Sequence, residues 1–330
     1  MYEWTCITKK AAFAGRDGAG SVTFDGQMWL LGGWNPQDKV NFPQICNSEV
    51  WASRDGEIWT EVEEQAPWEG RHTAGYAVHD GRMWIVGGDC IQGHTQTDVW
   101  ASSDGSRWEC VCGRVPWAPR SLHYTAVHDG RIWVMGGQTV PQFDNEPEEI
   151  FYRDVWCSAD GTSWERVCEQ APWSERGMIG GSAVHDGRIW ILGGGTYETP
   201  RRNRREFQND VWSSADGVNW ECHIATAPWV PRQYHEVAVW DDRLWVMEGC
   251  YNEAANESMA AAAASGQRWN RNDVWFSSDG VEWAELPDTP WAPRHAASVF
   301  VYRDALWMVT GNNMEPDVWR LTRRPVGSSA

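Results

Sequence analysis

Short apolar stretches recur along the whole chain, and Asp-Gly turns and Gly-Gly pairs interrupt them. Three segments repeat almost unchanged: HDGRMWIVGG (79–88), HDGRIWVMGG (128–137) and HDGRIWILGG (185–194). Brief runs rich in Val, Ile and Trp, bounded by turn residues, are typical of short β-strands. Three further segments are drifted copies: FDGQMWLLGG (24–33), WDDRLWVMEG (240–249) and YRDALWMVTG (302–311). The pattern therefore predicts an all-β protein with six repeating units.

Each unit reads as four antiparallel strands, here named a to d. Strand a follows an arginine, the HDGR turn joins it to strand b, and strand b ends in Gly-Gly. Strand c contains the DVW segment, and an SxDG turn leads to strand d, which carries the xxWE segment. The leading arginines lie 49–62 residues apart: Arg16, Arg71, Arg120, Arg176, Arg232 and Arg294. A repeat of this length indicates a propeller or a similar array.

The two ends of the chain complement each other. The opening EWTCITKKAAFAGR matches the strand d segment IWTEVEEQAPWEGR (58–71), and DVWRLTRR near the end is a strand c without its strand d. We therefore expect the first strand to complete the last sheet, which closes a ring without an open edge. The sequence predicts one six-bladed β-propeller domain over 1–330, with blades at 16–70, 71–119, 120–175, 176–231, 232–293 and 294–330 plus 1–15.

The repeat resembles that of the Kelch family of β-propellers. The arginine before strand a, the DG turn, the GG pair and the spaced aromatic residues carry this resemblance. Kelch propellers bind protein partners in some members and perform sugar or lyase chemistry in others. The resemblance therefore implies the fold and leaves the function open.

Tryptophan is unusually frequent, with 26 residues, and all but three recur at the same four positions of the units. Large flat side chains at repeated positions are expected to fill the space between neighbouring sheets. The exceptions are Trp34, Trp240 and Trp269. Trp34 directly follows a Gly-Gly pair and Trp269 lies in a long loop, so these two are candidates for stacking on a ligand.

The two faces of the ring differ in how much their loops vary. The a–b and c–d turns share one face and hardly change between units. The b–c and d–a connections share the other face and vary in length and composition. Variable loops on a rigid scaffold are where binding sites concentrate, so we expect the working site at the channel mouth on this second face.

Four histidines follow the leading arginines in four different units: His72, His123, His235 and His295. In a closed ring these positions converge on the axis, where imidazoles can hold a divalent metal or act as general acids and bases. We take His72 and His235 as catalytic candidates and all four as candidate metal ligands. The alternative is that each one only bonds a neighbouring loop, since no HxH or HExxH spacing supports a metal.

The end of strand b supplies a second group of candidates. Glu248 replaces the first glycine of the pair in the fifth unit, which makes it a candidate general base or ligand anchor. The residues after each pair differ and are mostly polar, as expected for a pocket with an asymmetric ligand. The candidates for binding are Trp34, Asp89, Gln138, Cys250 and Asn312, with Tyr234 beside His235. Ordinary drift of a degenerate repeat is the alternative.

Arginines form the third group. The repeat arginines are most simply structural, but Arg71, Arg120, Arg232 and Arg294 near the mouth are also candidates for binding a carboxylate or phosphate. A separate basic run, RRNRR (201–205), either recruits an anion or is a solvated loop. The alanine-rich stretch 259–266 predicts a short helix near the mouth. Cys90 and Cys250 are further candidates as thiol ligands or nucleophiles.

Charge and composition narrow the function. The formal net charge of −18 argues against binding to nucleic acids or anionic membranes. The N-terminal segment lacks the apolar core of a signal peptide, and nine cysteines without a CxxC pair favour a reducing cytoplasm. We therefore expect a cytoplasmic propeller whose mouth binds, or acts on, a small polar and anionic molecule. The alternatives are a peptide-binding module and a metal-dependent lyase, isomerase or oxidase.

Overall fold

The computed structural model describes residues 1–89, 91–143, 148–177 and 181–324, and within them the strands form six four-stranded antiparallel sheets. The first strand is β1 (Tyr2–Thr8). Blade one contains β2 (Gly20–Phe24), β3 (Gln27–Trp34), β4 (Cys46–Ser53) and β5 (Thr60–Glu63). Blade two contains β6 (Gly75–His79), β7 (Arg82–Val86), β8 (Val99–Ser102) and β9 (Glu109–Cys112). Blade three contains β10 (Tyr124–His128), β11 (Arg131–Met135), β12 (Val155–Ser158) and β13 (Glu165–Cys168).

The second half of the chain continues the pattern. Blade four contains β14 (Ser182–His185), β15 (Arg188–Thr196), β16 (Glu206–Ser214) and β17 (Glu221–Ile224). Blade five contains β18 (Glu236–Trp240), β19 (Arg243–Met247), β20 (Val274–Ser277) and β21 (Ala284–Leu286). Blade six contains β22 (Ser298–Val301), β23 (Leu306–Val309) and β24 (Val318–Arg323).

The N-terminal strand completes blade six. β1 pairs antiparallel with β24, Trp4 lies opposite Leu321, and the strand order of this sheet is β1-β24-β23-β22. The prediction of a six-bladed ring closed by the first strand is therefore confirmed.

Tryptophans pack between neighbouring blades as the repeat predicts. Trp117 meets Trp164 edge-on with ring centroids 4.3 Å apart, and Trp173 meets Trp220 at the same distance. Trp240, at the a–b turn of blade five, is 4% exposed and packs with Trp245 in the core of its blade. It therefore belongs to the scaffold.

Each c–d turn is held by its serine and aspartate. In blade one the Ser53 hydroxyl accepts a hydrogen bond from the Gly56 amide (2.8 Å), and the Asp55 carboxylate accepts two from the amides that follow. Gly56 has a φ of +76°, and a Cβ there would overlap the indole of Trp307 in the adjacent blade. Only glycine satisfies both the turn and this close approach.

The leading arginines clasp each blade from within. Arg294 donates to the carbonyl of Thr310 (2.7 Å) and to both carboxylate oxygens of Asp317 (2.7 and 2.8 Å). Asp317 also accepts from the indole of Trp319 at 2.6 Å. The same arrangement pairs each of the other arginines with the acidic residue before its VW dipeptide: Arg16 with Glu49, Arg71 with Asp98, Arg120 with Asp154, Arg176 with Asp210, and Arg232 with Asp273. The arginine, the glycine pair and the DVW segment therefore form one hydrogen-bonded unit.

Replacing Arg294 by methionine is expected to lower the free energy of unfolding by about 3–5 kcal/mol, because Asp317 is left buried without its counter-charge. Urea unfolding at neutral pH measures the change. The matched change Arg131→Met, at the exposed pair with Glu165, is expected to leave the midpoint unmoved. Equal midpoints for the two variants would show that the clasp contributes no more than a surface pair.

The longest b–c loop, in blade five, carries helical structure. A 3-10 turn (Glu253–Asn256) precedes helix α1 (Met259–Ser265), which begins after the capping hydroxyl of Ser258 and ends at Gly266. The prediction of a short helix in the alanine-rich stretch is confirmed. Among the residues described, no helix combines the length and the apolar character needed to cross a membrane.

Candidate functional site

A pocket of about 290 Å³ opens at the channel mouth on the face of the b–c and d–a loops. All six blades contribute residues to it, and blade four contributes through its b–c loop. The lining residues are Asp17, Trp34, His72, Asp89, Ile91, Ser121, Leu122, Val140, Phe143, Tyr197, Arg205, Tyr234, His295 and Asn312.

Two positions of the repeat face this pocket. The residue after the leading arginine and the residue after the glycine pair exchange backbone hydrogen bonds within a blade. Asp17 and Trp34 exchange two bonds of 2.9 Å each, and Ser121 and Gln138 do the same at 2.8 and 2.9 Å. The start of the strand a segment is thereby fixed beside the end of strand b, which places both positions at the rim of the channel.

A ring of backbone forms the floor of the pocket. In each of the five blades where the structure describes it, the second residue after the arginine is left-handed, with φ between +49° and +61°: Gly18, Thr73, Leu122, Tyr234 and Ala296. Amides of this ring bond to carbonyls of the preceding blade, from Thr73 to Gly18 (3.0 Å), Gly18 to Ala296 (3.0 Å) and Ala296 to Tyr234 (2.7 Å). Residues before this position face the pocket, and residues after it line the channel below.

Gly18 leaves room for the imidazole of His72. A Cβ at Gly18 would overlap the Cδ2 atom of the His72 ring, and its φ of +57° also favours glycine. The DGAG segment of the first unit is therefore required for the position of a side chain in the second.

His72 lies between two carboxylates. Its Nδ1 makes a short hydrogen bond to Asp89, and its Nε2 lies 3.7 Å from Asp17 Oδ1. Burial opposes a charge on the ring, but Asp89 and Asp17 outweigh it and raise the pKa of His72 to about 10. His72 is therefore an imidazolium at neutral pH.

His295 faces the other oxygen of the same aspartate. Its Nε2 lies 3.7 Å from Asp17 Oδ2, and its Nδ1 lies 2.8 Å from Asn270 Oδ1. Burial, together with the positive charges of Arg205 and His72, lowers the pKa of His295 against the opposing effect of Asp17. One carboxylate thus lies between a charged and a neutral imidazole.

Arg205 brings a second cation into the pocket. Its Nε donates to Glu198 Oε2 at 2.5 Å, and its guanidinium lies over the rings of Tyr197 (4.1 Å) and Trp269 (5.2 Å). Within the described contacts, its terminal nitrogens donate to no carboxylate. The aromatic packing holds the guanidinium in place, and no described carboxylate competes with a ligand for these donors.

Six of the residues predicted from the sequence meet in this pocket: Trp34, His72, Asp89, Tyr234, His295 and Asn312. Trp269, the other stacking candidate, lies behind Arg205 and packs against Phe207. It supports the pocket without lining it.

Two of the candidates lie outside the pocket because they are enclosed by protein. Glu248 is fully buried, with its Oε1 3.4 Å from the Ala297 amide, and burial next to Glu236 raises its pKa well above the usual value. His235 is fully buried and bonds the Leu192 carbonyl at 2.8 Å. Burial and the nearby Arg232 lower the pKa of His235 to about 3. Neither Glu248 nor His235 therefore contacts a ligand in the mouth.

Two further candidates support the wall. Gln138 is fully buried and holds the Tyr197 backbone, accepting from its amide at 2.6 Å and donating to its carbonyl at 3.2 Å. Cys250 is 1% exposed and packs with Tyr234 under the pocket, and burial raises the pKa of its thiol to about 12. A neutral buried thiol is neither a ready nucleophile nor a ready metal ligand.

The four histidines do not form one site. His72 and His295 lie in the pocket, whereas His123 lies below the floor, where burial and Arg120 lower its pKa to about 4. His235 points to a neighbouring blade. The described residues contain no group of three His, Cys, Asp or Glu side chains fit to hold a metal ion. The structure therefore does not bring the four histidines together, since residues one and three positions after the arginine lie on opposite sides of the floor.

The arginines proposed for anion binding are occupied. Arg71, Arg120, Arg232 and Arg294 are at most 2% exposed, and each is paired with an aspartate of its own blade. Their guanidinium groups line no part of the pocket. Their role as blade clasps is the one that the structure supports.

Other residues of the pocket were not singled out from the sequence. Asp17 and Ser121 occupy the same position as His72 and His295, directly after the arginine. This repeat position could therefore have predicted them as pocket residues. Arg205 belongs to the basic run, but nothing local separates it from its neighbours. Phe143 and Tyr197 come from variable loops without a repeat position. Cys90 and the start of strand a in unit four (178–180) lie outside the described residues.

Comparisons with known proteins bear on the fold. No family model matches the chain, and a search of the curated proteins finds no match. Among solved structures, one described as the structure of YjhT aligns with a TM-score of 0.69 at 15% identity, over 96% of this chain and 95% of its own. At this identity the likeness establishes the architecture, and the chain is a six-bladed β-propeller.

Proposed function

We propose that the protein is a Kelch-type propeller that binds a small, polar, anionic molecule in the mouth pocket. The observation that carries the proposal is the pair of cations, Arg205 and protonated His72, in a pocket of about 290 Å³. A cavity of this volume suits a small molecule better than a peptide, which needs a longer groove.

Charge and hydrogen-bonding capacity define the ligand. The terminal nitrogens of Arg205, which donate to no carboxylate among the described residues, match the two oxygens of a carboxylate ligand. The Asp17 Oδ1 and Ser121 Oγ atoms are buried without a hydrogen-bond partner, and both are able to accept from ligand hydroxyl groups. Trp34, Tyr197 and Tyr234 offer aromatic surface to carbon–hydrogen faces. These features favour a hydroxylated carboxylate over a neutral or purely apolar ligand.

Calorimetric titration with glucuronate and with glucose, its neutral counterpart, tests this proposal. We expect binding of glucuronate over glucose, with Arg205→Gln weakening the affinity by about 10–100-fold, as expected for a lost charged hydrogen bond. Arg204→Gln is the matched control, because Arg204 is half exposed and pairs with Glu206 outside the pocket. Equal affinities of Arg205→Gln and Arg204→Gln for glucuronate would refute the proposal. It would also be refuted if, across a panel of small carboxylates, no acid bound more tightly than its neutral counterpart.

A second candidate function is acid–base catalysis on the same ligand. It is favoured by one observation, the protonated His72 and the neutral His295 on either side of Asp17. Such a pair can donate a proton to one atom of a ligand and accept one from another, as lyases and isomerases require. A metal-dependent route is not supported by the donor set, because Asp89 already holds the Nδ1 of His72.

A further inference from the structure

The channel contains a second cavity beneath the floor of the pocket. Among the described residues, none lines both this chamber, of about 200 Å³, and the pocket. Its polar lining includes Ser21, His123, Thr125, Ser182 and Glu236. The backbone ring of Gly18, Thr73, Tyr234 and Ala296 separates the two spaces.

The chamber opens toward the opposite face of the ring. Ser21, Tyr76, Thr125 and Ser182 also line an outer cavity of about 320 Å³, formed by the later residues of the same strands. These strands lead to the a–b turns. The lining that the chamber shares with the outer cavity therefore gives a ligand a route from the turn face.

Glu236 carries the chemistry of the chamber. It is 8% exposed, it lines the cavity, and no hydrogen bond from a described residue reaches its carboxyl group. Burial raises the pKa of Glu236 to about 8. A buried carboxyl group without a partner costs free energy, and a bound cation offsets that cost.

The residues that line the chamber beside Glu236 are neutral or apolar, and the nearby Glu248, outside the lining, has a pKa that burial raises well above the usual value. His123 is neutral because burial and Arg120 lower its pKa to about 4, and its Nδ1 lies 3.1 Å from the hydroxyl of Thr125. Val237 and Val299 line the chamber, and Val78, Val127 and Val184 line the outer cavity. The described lining thus offers one carboxyl group at its inner end, hydroxyl groups beside it and hydrocarbon toward the exit.

We infer that this channel is a second ligand site, which binds a small aliphatic amine with its ammonium group at Glu236 and its alkyl chain along the valines. One ammonium matches one carboxylate, and its remaining hydrogens match hydroxyl acceptors. A metal ion fits less well, since nowhere in 1–89, 91–143, 148–177 or 181–324 do three candidate ligand side chains come together. The inference stands independently of the function proposed for the mouth.

Binding of n-butylammonium tests it, with 1-butanol as the uncharged counterpart of equal length. Titrations are performed above the pKa of Glu236 and below that of the amine. We expect saturable binding of the amine alone, and a loss of at least about tenfold in affinity in Glu236→Gln. Glu165→Gln, at an exposed glutamate of β13, is the matched control and is expected to bind as the unmodified protein does.

Intermolecular NOEs in the unmodified protein locate the ligand without relying on a variant. Contacts from the butyl protons to the methyl groups of Val127 and Val184 support the inference. Contacts to Ile91 and Leu122 would place the amine in the mouth pocket and overturn it. Absence of saturable binding, or equal binding by Glu236→Gln, would overturn it as well.

Discussion

A chain that lacks residues 1–9 is expected to lose about 5 kcal/mol or more of its free energy of unfolding. The deletion removes β1, whose Tyr2, Trp4 and Cys6 pack on the core of blade six and blade five. Each such side chain contributes about 1.5–3 kcal/mol when it is fully buried, and these are partly buried. The loss is a large share of the roughly 5–15 kcal/mol that stabilises a typical domain.

Urea unfolding and analytical ultracentrifugation measure the effect. The truncated chain also leaves β24 as an unpaired edge, so association between copies is expected. A peptide of residues 1–15 added in trans is expected to restore the midpoint in part. A circular permutant opened at the Asp80–Gly81 turn, with the present ends joined, keeps β1 in place and serves as the control. An unchanged midpoint in the truncated chain would show that ring closure does not stabilise the fold.

Stability is expected to fall between pH 6.5 and about 10 through the deprotonation of His72. The pKa of His72 is 6.5 in the unfolded chain and about 10 in the folded protein, because Asp89 and Asp17 outweigh the effect of burial. A group whose folded pKa is raised contributes fully below the unfolded value, and the contribution is lost as the pH rises through the folded one. With 1.36 kcal/mol for each pKa unit, the contribution is about 5 kcal/mol.

Comparison with His72→Gln isolates this effect, because other groups titrate equally in both proteins. The difference between the two unfolding free energies is expected to shrink as the pH rises through this window. In Asp89→Asn the imidazole loses its principal anion, and NMR titration of the ring is expected to give a clearly lower pKa. A difference that stays constant from pH 6 to pH 10 would contradict the protonated state of His72.

Because the unit repeats six times, the sequence was sufficient to predict the fold and the repeat positions at the rim of the channel. Each strand pair is encoded by neighbours in the chain, through Asp-Gly turns, glycine pairs and alternating apolar residues, so six copies confirm one another. Trp34, Asp89 and Asn312 could be predicted in the same way, because they follow the glycine pair, a position that varies between units and lies at the pocket. Helix α1 was visible from its alanines.

The repeat did not predict on which side of the floor each side chain lies. His72 and His235 lie one and three residues after their arginines, an offset that suggests a shared face in a regular strand. The left-handed residue between these two positions breaks that regularity, so His72 enters the pocket and His235 bonds Leu192. Glu248 likewise lies under the floor and is fully buried, so its side chain does not reach the mouth.

The sequence by itself determined the number of blades, the closure of the ring by β1 and the face on which the loops vary. Only the tertiary structure decided which residues form the site, which arginine lines the pocket and where the second cavity opens. The physical reason is that strand pairing depends on local turns and alternation, whereas the pocket joins Asp17, His72, Arg205 and His295 from four blades. Their approach is set by hydrogen bonds between blades, which carry no local signature in the chain.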